Sequence, residues 1–144
     1  NMRLTYATAQ VGLKYVSFEV LNLPALNDID VGACTMGTVT AEQTQLFANR
    51  NNAAAKDVIA YFVRSTQPPF NGCASHPANR PGAVVASGAS AWTLAHEIGH
   101  VLGLSHVSDN NRLMTGLGTD NITNPPPDII ASEKTTMLAS SFTT

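Results

Sequence analysis

Apolar positions change their period several times along the chain, and each change marks an element. Between residues 94 and 102 they fall at Leu94, Ile98, Val101 and Leu102, the spacing of one helical face. Over residues 15–23 they alternate instead, with Val16, Phe18 and Val20 on one side and Tyr15, Ser17 and Glu19 on the other. That period of two predicts a half-buried strand closed by Pro24. Residues 57–65 hold a near-continuous apolar run from Val58 to Val63, which predicts a central strand buried on both faces. Residues 82–87 predict a second, smaller buried strand. Helical spacing returns weakly over residues 2–13, as a backing helix, and clearly after Thr40. There Thr38 or Thr40 can cap, Glu42 and Gln43 fill the first turn, and Leu46 and Phe47 follow. That helix is expected to end at residues 49–52 or to run on through 53–56. Asp128 is expected to cap a last helix that packs through Ile129, Ile130, Met137 and Leu138, with residues 140–144 frayed.

These elements imply an order. A helix between two strands implies a crossover, so residues 57–65 are expected to pair in parallel with residues 15–23. Residues 26–37, 67–81 and 117–127 are rich in Gly, Asn and Pro and predict irregular connections. Within the second of these, residues 72–76 are extended enough for an exposed edge strand. At 144 residues one domain, residues 1–144, is expected. Its class is α/β (α+β), with a mixed sheet.

Composition narrows the function. The chain is 44% hydrophobic and 12% charged, with a formal net charge of −2. It has no basic patch for nucleic acid or an anionic membrane, and no apolar run near the roughly 18 residues of a spanning helix. Cys34 and Cys73 are the only cysteines. An even count without a C-x-x-C pair favours one disulfide and a secreted, extracellular protein, two buried free thiols being the alternative. A chain that opens on Asn1 is expected to have lost a leader or pro-segment.

The candidate chemistry sits on the helix first described. Residues 95–106 read A-H-E-I-G-H-V-L-G-L-S-H and place His96, Glu97, His100, Gly103 and His106 at H-E-x-x-H-x-x-G-x-x-H spacing. Residues four apart on a helix stand about 5–6 Å apart at Cβ on one face, so His96 and His100 can aim at one point. Glu97, rotated about 100° from His96, can reach a metal-bound water without itself being a ligand. Gly103 can end the helix in a left-handed conformation, and the returning chain can present His106. Three nitrogens with one open position make a catalytic zinc site. Trp92 and the helix's apolar residues are expected core, with Ser90 or Thr93 near its cap. His76 is expected to be a surface histidine without function.

These residues resemble those of the metzincin zinc endopeptidases, whose second signature is a methionine-bearing turn after the third histidine. Here N-R-L-M-T-G supplies Met114, and the short gap from His106 is similar to that of the matrixin branch. Val107 departs from the serine usual in matrixins at that point, and Gly116 stands where some metzincins carry a zinc-binding tyrosine. The resemblance implies a twisted mixed sheet with an antiparallel edge strand, an active-site helix, the methionine turn and a C-terminal helix. It divides the domain into an upper part, residues 1–103, and a lower part, residues 104–144. It implies one catalytic Zn2+ on His96, His100 and His106, with Glu97 as general base and then acid, and Met114 as a floor beneath the imidazoles. The edge strand at Cys73, Ala74 and Ser75 would pair with substrate, and Ile122, Asn124 and Pro125 would wall the pocket for the side chain after the scissile bond. It also allows structural Ca2+ at Asp28 and Asp30, although two acids fall short of a calcium-loop pattern.

The expected activity is therefore zinc-dependent hydrolysis of peptide bonds by a monomer acting on polypeptides, with no nucleic-acid or membrane partner. Two alternatives stand beside it: a zinc-holding peptide-binding module without turnover, and a zinc hydrolase acting on a non-peptide amide.

Overall fold

The computed structural model of the chain describes residues 1–143; Thr144, the end of the tail expected to fray, lies outside the described residues. The fold is built around β5 (Gly82–Ala86), whose small apolar residues are buried up to Val85. Its sequence suits a central strand because Ala and Val let neighbouring layers approach on both faces. On one side β5 pairs in parallel with β2 (Ile59–Val63), from Ile59↔Gly82 to Val63↔Ala86. On the other it pairs antiparallel with β4 (Gly72–Cys73), through Gly72↔Val85 and Cys73↔Val84. The strand order β2-β5-β4 leaves β4 as an edge. A second, two-stranded parallel sheet joins β1 (Asp28–Asp30) to β3 (Ser65–Gln67). The fold is thus α/β, with a mixed sheet and an antiparallel edge strand.

Among the described residues four α-helices complete it. The first, α1 (Met2–Thr8), lies against α3 (Thr93–Val101), and the buried Tyr6 hydroxyl donates to the Ala95 carbonyl at 2.8 Å. The second, α2 (Ala41–Leu46), starts as its sequence predicts. Thr40 Oγ1 accepts from the Gln43 amide, and Gln43 Oε1 accepts from the Thr40 amide, both at 3.0 Å, which together satisfy two free donors of the first turn. The last, α4 (Ala131–Ala139), buries Met137 and Glu133. One core cluster unites Tyr6, Ala83, Ala95, Ile98, Leu102, Leu113, Met114 and Met137. A second gathers Leu26, Ile29, Phe47, Tyr61, Val63 and Val84.

Several expectations are corrected. Residues 15–23 form no strand: Phe18 is 95% and Val20 91% exposed, so β2 finds its parallel partner in β5 rather than there. Residues 26–37 are not wholly irregular, since Asp28–Asp30 form β1. The strand at 57–65 is not buried on both faces, because Phe62 points outward, 70% exposed. Asp128 does not cap α4. Its backbone pairs with residues 111 and 113 of the methionine turn, while Glu133 Oε2 accepts from the Ile130 amide at 3.0 Å. Ile130 and Leu138 are exposed, and Trp92 is only half-buried at the start of α3. The tail does not simply fray, because Phe142 packs on the first core cluster and Thr143 Oγ1 donates to the Ser140 carbonyl at 2.8 Å.

Candidate metal centre and active-site cleft

The end of α3 shows how local chemistry builds a site. Gly103 adopts φ +97°, a conformation that costs a residue bearing Cβ far more than glycine. The Leu104 amide then bonds the Gly99 carbonyl and the Gly103 amide bonds the His100 carbonyl, both at 2.9 Å, the Schellman pattern of helix termination. This turn returns the Leu104 carbonyl to within 2.8 Å of His100 Nδ1. The Leu113 carbonyl stands 2.8 Å from His96 Nδ1. Both Nδ1 atoms therefore carry the proton, and both Nε2 atoms keep a free lone pair.

Those Nε2 atoms converge with that of His106 at 3.0–3.1 Å from one another. Bare lone pairs at that separation repel unless a cation lies among them. A tetrahedral zinc with Zn–N bonds of about 2.0–2.1 Å keeps its ligand nitrogens about 3.3 Å apart, so the donor set fits the ion within a few tenths of an ångström. Burial first, then the neighbouring imidazoles, push His96 down to about 4 against the opposing pull of the Leu113 carbonyl. Burial likewise lowers His100. The His96 and His100 rings are thus held neutral, the form that binds metal. Among the described residues this triad is the one group of side chains placed to hold a metal.

Calcium finds no support. Asp28 pairs with Arg64 and accepts from Ser65 Oγ, and Asp30 Oδ1 accepts from the Gly32 amide.

His106 is positioned by the methionine turn. The Val107 amide bonds the Met114 carbonyl and the Gly116 amide bonds the Val107 carbonyl, both at 2.9 Å. Met114 is fully buried and lies against Gly99, where a Cβ would stand 2.6 Å from its sulfur. Arg112, in the same turn, is paired with the nearly buried Glu133 at 2.7 Å, which ties the turn to α4.

The triad opens on a cleft of about 470 Å³. Its walls include Phe70, Asn71, Gly72 and Ala74 on and around β4, Met36 from the loop after β1, and Thr115, Gly116, Gly118 and Thr119 after the methionine turn. Glu97, 8% exposed, lines the same cleft, and burial alone pushes its carboxyl up to about 7. β4 is held by the Cys34–Cys73 disulfide, with Cα atoms 5.7 Å apart. Gln43 Nε2 donates to the Ser75 carbonyl at 3.1 Å, and Ser75 Oγ donates to the Thr38 carbonyl at 2.5 Å. Among the described residues no strand pairs with its outer edge.

Residues 34–128, about two-thirds of the chain, match the family model described as Matrixin. The chain belongs to the matrixin family. No curated protein and no solved structure matches it. The family is one of zinc metallopeptidases, and among the described residues of this matrixin no helix is long and apolar enough to cross a membrane.

Of the residues singled out in the sequence, Cys34, Ala74, His96, Glu97, His100, His106 and Gly116 come together on this cleft, while Cys73, bonded to Cys34, is fully buried and does not line it. Ser75 is buried, and Ile122, Asn124 and Pro125 do not line the cleft. His76 lies outside it too, its ring edge-on to Phe142. Sequence reasoning passed over Met36, Phe70, Thr115 and Thr119, and placed Thr93 only near the cap of its helix. Only Phe70 carried a signal, as an aromatic in a proline- and glycine-punctuated loop leading into an edge strand.

Proposed function

We propose that this matrixin is a zinc-dependent endopeptidase in which His96, His100 and His106 hold the metal and Glu97 is the general base. The observation that carries the reading is the convergence of three imidazole nitrogens and one buried carboxylate on a cleft bounded by a sheet edge that no described strand pairs. When bound there, zinc supplies Lewis acidity, lowering the pKa of its water toward about 7 and polarising the scissile carbonyl.

The chain's own residues do the rest. His96 and His100 present unprotonated Nε2 atoms because their Nδ1 protons are committed to the Leu113 and Leu104 carbonyls. Glu97 takes a proton from the attacking water and hands it to the leaving amine; a carboxyl raised to about 7 by burial can do both near neutral pH. The free edge of β4 adds the substrate backbone as a further strand. Met36 and Phe70 meet apolar side chains on one side of the scissile bond, and Thr93, Thr115 and Thr119 bound the recess on the other. The whole chain acts as one catalytic domain, a secreted monomer, and its disulfide suits an oxidising compartment.

The test is hydrolysis of a peptide library by the zinc-loaded protein, with products read by mass spectrometry. Cleavage at internal peptide bonds, lost with chelator and restored by zinc, is expected. Zinc-bound protein that holds peptides without cutting them would make it a binding module; cleavage confined to cell-wall amides would make it a different hydrolase.

A further inference from the structure

The Glu97 side chain runs across the backbone of β4 at a residue that has no side chain of its own. A Cβ placed on Gly72 would stand 2.6 Å from Glu97 Cγ, 2.7 Å from Oε1 and 2.9 Å from Cδ. Non-bonded carbon atoms attract at about 3.5–4.0 Å and repel well inside that distance, so a methyl group and the present Glu97 arm cannot coexist. Nothing in the local backbone asks for glycine. Gly72 is not among the residues of positive φ, and it sits in ordinary antiparallel register opposite Val85, a place that alanine occupies without strain.

We propose that Gly72 is a positioning residue for Glu97: the bare edge of β4 sets the path of the carboxylate arm into the cleft. The proposal rests on the reading of Glu97 as general base. Of the two groups that a methyl would push apart, Glu97 is the one that yields. β4 is fixed by its pairing with β5, by the Cys34–Cys73 disulfide and by Gln43 on Cys73 Sγ, whereas the glutamate arm borders the open cleft and can change rotamer toward it. The cost of a side chain at Gly72 therefore falls on where the carboxylate sits, and the fold is left alone. Catalysis is sensitive to that displacement, since a misplacement of about 1 Å can cost a hundredfold in rate.

The experiment compares wild type, Gly72→Ala, Glu97→Asp and the double variant, each zinc-loaded. Gly72→Ala is expected to keep its zinc content and a KM near wild type while kcat falls by about a hundredfold. Its Tm should be unchanged or slightly raised, because alanine at a compatible position narrows the unfolded ensemble. A purely structural role would lower Tm and leave kcat alone. Shortening Glu97 to Asp should cost less in the Gly72→Ala background than in wild type, since the carboxylate is already displaced there and two substitutions acting on one group are not additive. Wild-type kcat in Gly72→Ala, or effects of the two substitutions that simply multiply, would overturn the proposal. A crystal structure of Gly72→Ala gives a readout independent of turnover. A displaced Glu97 carboxylate supports the proposal and an unmoved one refutes it, even if wild type cuts no peptide and the endopeptidase reading itself fails.

Discussion

The segment from Ala95 to His106 and the segment from Lys14 to Val20 differ in how completely their groups find partners. In the first, the helix end is closed by two backbone bonds at Gly103 and Leu104, and two imidazoles are oriented by main-chain carbonyls. Tyr6 braces its first turn from α1, and Met114 fills the space left by Gly99. In the second, the backbone belongs to no helix or strand, and Tyr15, Phe18 and Val20 are 82%, 95% and 91% exposed. Its side-chain tether is Asn51 Nδ2 donating to the Glu19 carboxylate at 3.2–3.3 Å. One region is held from several directions at once and the other from almost none. Catalytic groups need placement to about half an ångström, and only the first kind of region supplies it.

Breaking the clasp on β4 should produce the largest change in stability. Reducing the Cys34–Cys73 bond, or replacing both cysteines with serine, is expected to cost about 3–4 kcal/mol by the loop-entropy estimate. Denaturant unfolding measures it, and a loss within error would mean that β4 is held without its disulfide. Gly103→Ala comes next, because a Cβ in the left-handed region costs about 1–2 kcal/mol. It should also weaken zinc affinity, since the same turn delivers the Leu104 carbonyl to His100 and leads to His106. Zinc affinity equal to wild type would separate the turn from the triad.

A smaller and more specific effect is expected from pH. Burial moves the Glu97 carboxyl from an ordinary 4.5 to about 7, so the folded state keeps a proton that the unfolded state loses between these values. The stability contributed by this group is full below about pH 4.5 and lost as pH rises through about 7. Glu97→Gln removes that loss. In chelated protein its Tm should therefore pull ahead of wild type as pH rises across the window, and a constant difference would contradict the assignment. Smallest of all, Phe18→Ser with Val20→Ser should leave stability within about 0.5 kcal/mol of wild type; a larger loss would show that residues 15–23 are buried after all.

The same contrast explains what the sequence could and could not convey. His96, His100, Gly103 and His106 were legible because a helix and a single glycine turn convert their spacing directly into geometry. Thr40 and Gln43 were legible for the same reason. The alternation at residues 15–23 looked equally regular, but a strand needs a neighbour, and a period of two does not name one. β2 took β5, and the short β1 paired with β3 out of a stretch whose Asp28, Asp30 and Gly32 read as loop. The cleft walls were hidden for a related reason. Thr93, Thr115 and Thr119 meet across separate segments, while Ile122, Asn124 and Pro125 lie beyond the recess. Gly72 and Gly99 matter through the atoms that occupy their missing side chains, Glu97 and Met114, and no sequence pattern announces that.

The most direct test of the central claim is the Glu97→Ala variant assayed on peptide with zinc quantified on the same sample. The account predicts one zinc per chain, as in wild type, with kcat lower by about 10²–10⁴-fold, the usual weight of a general base. Zinc retained with near-full peptide hydrolysis would contradict it.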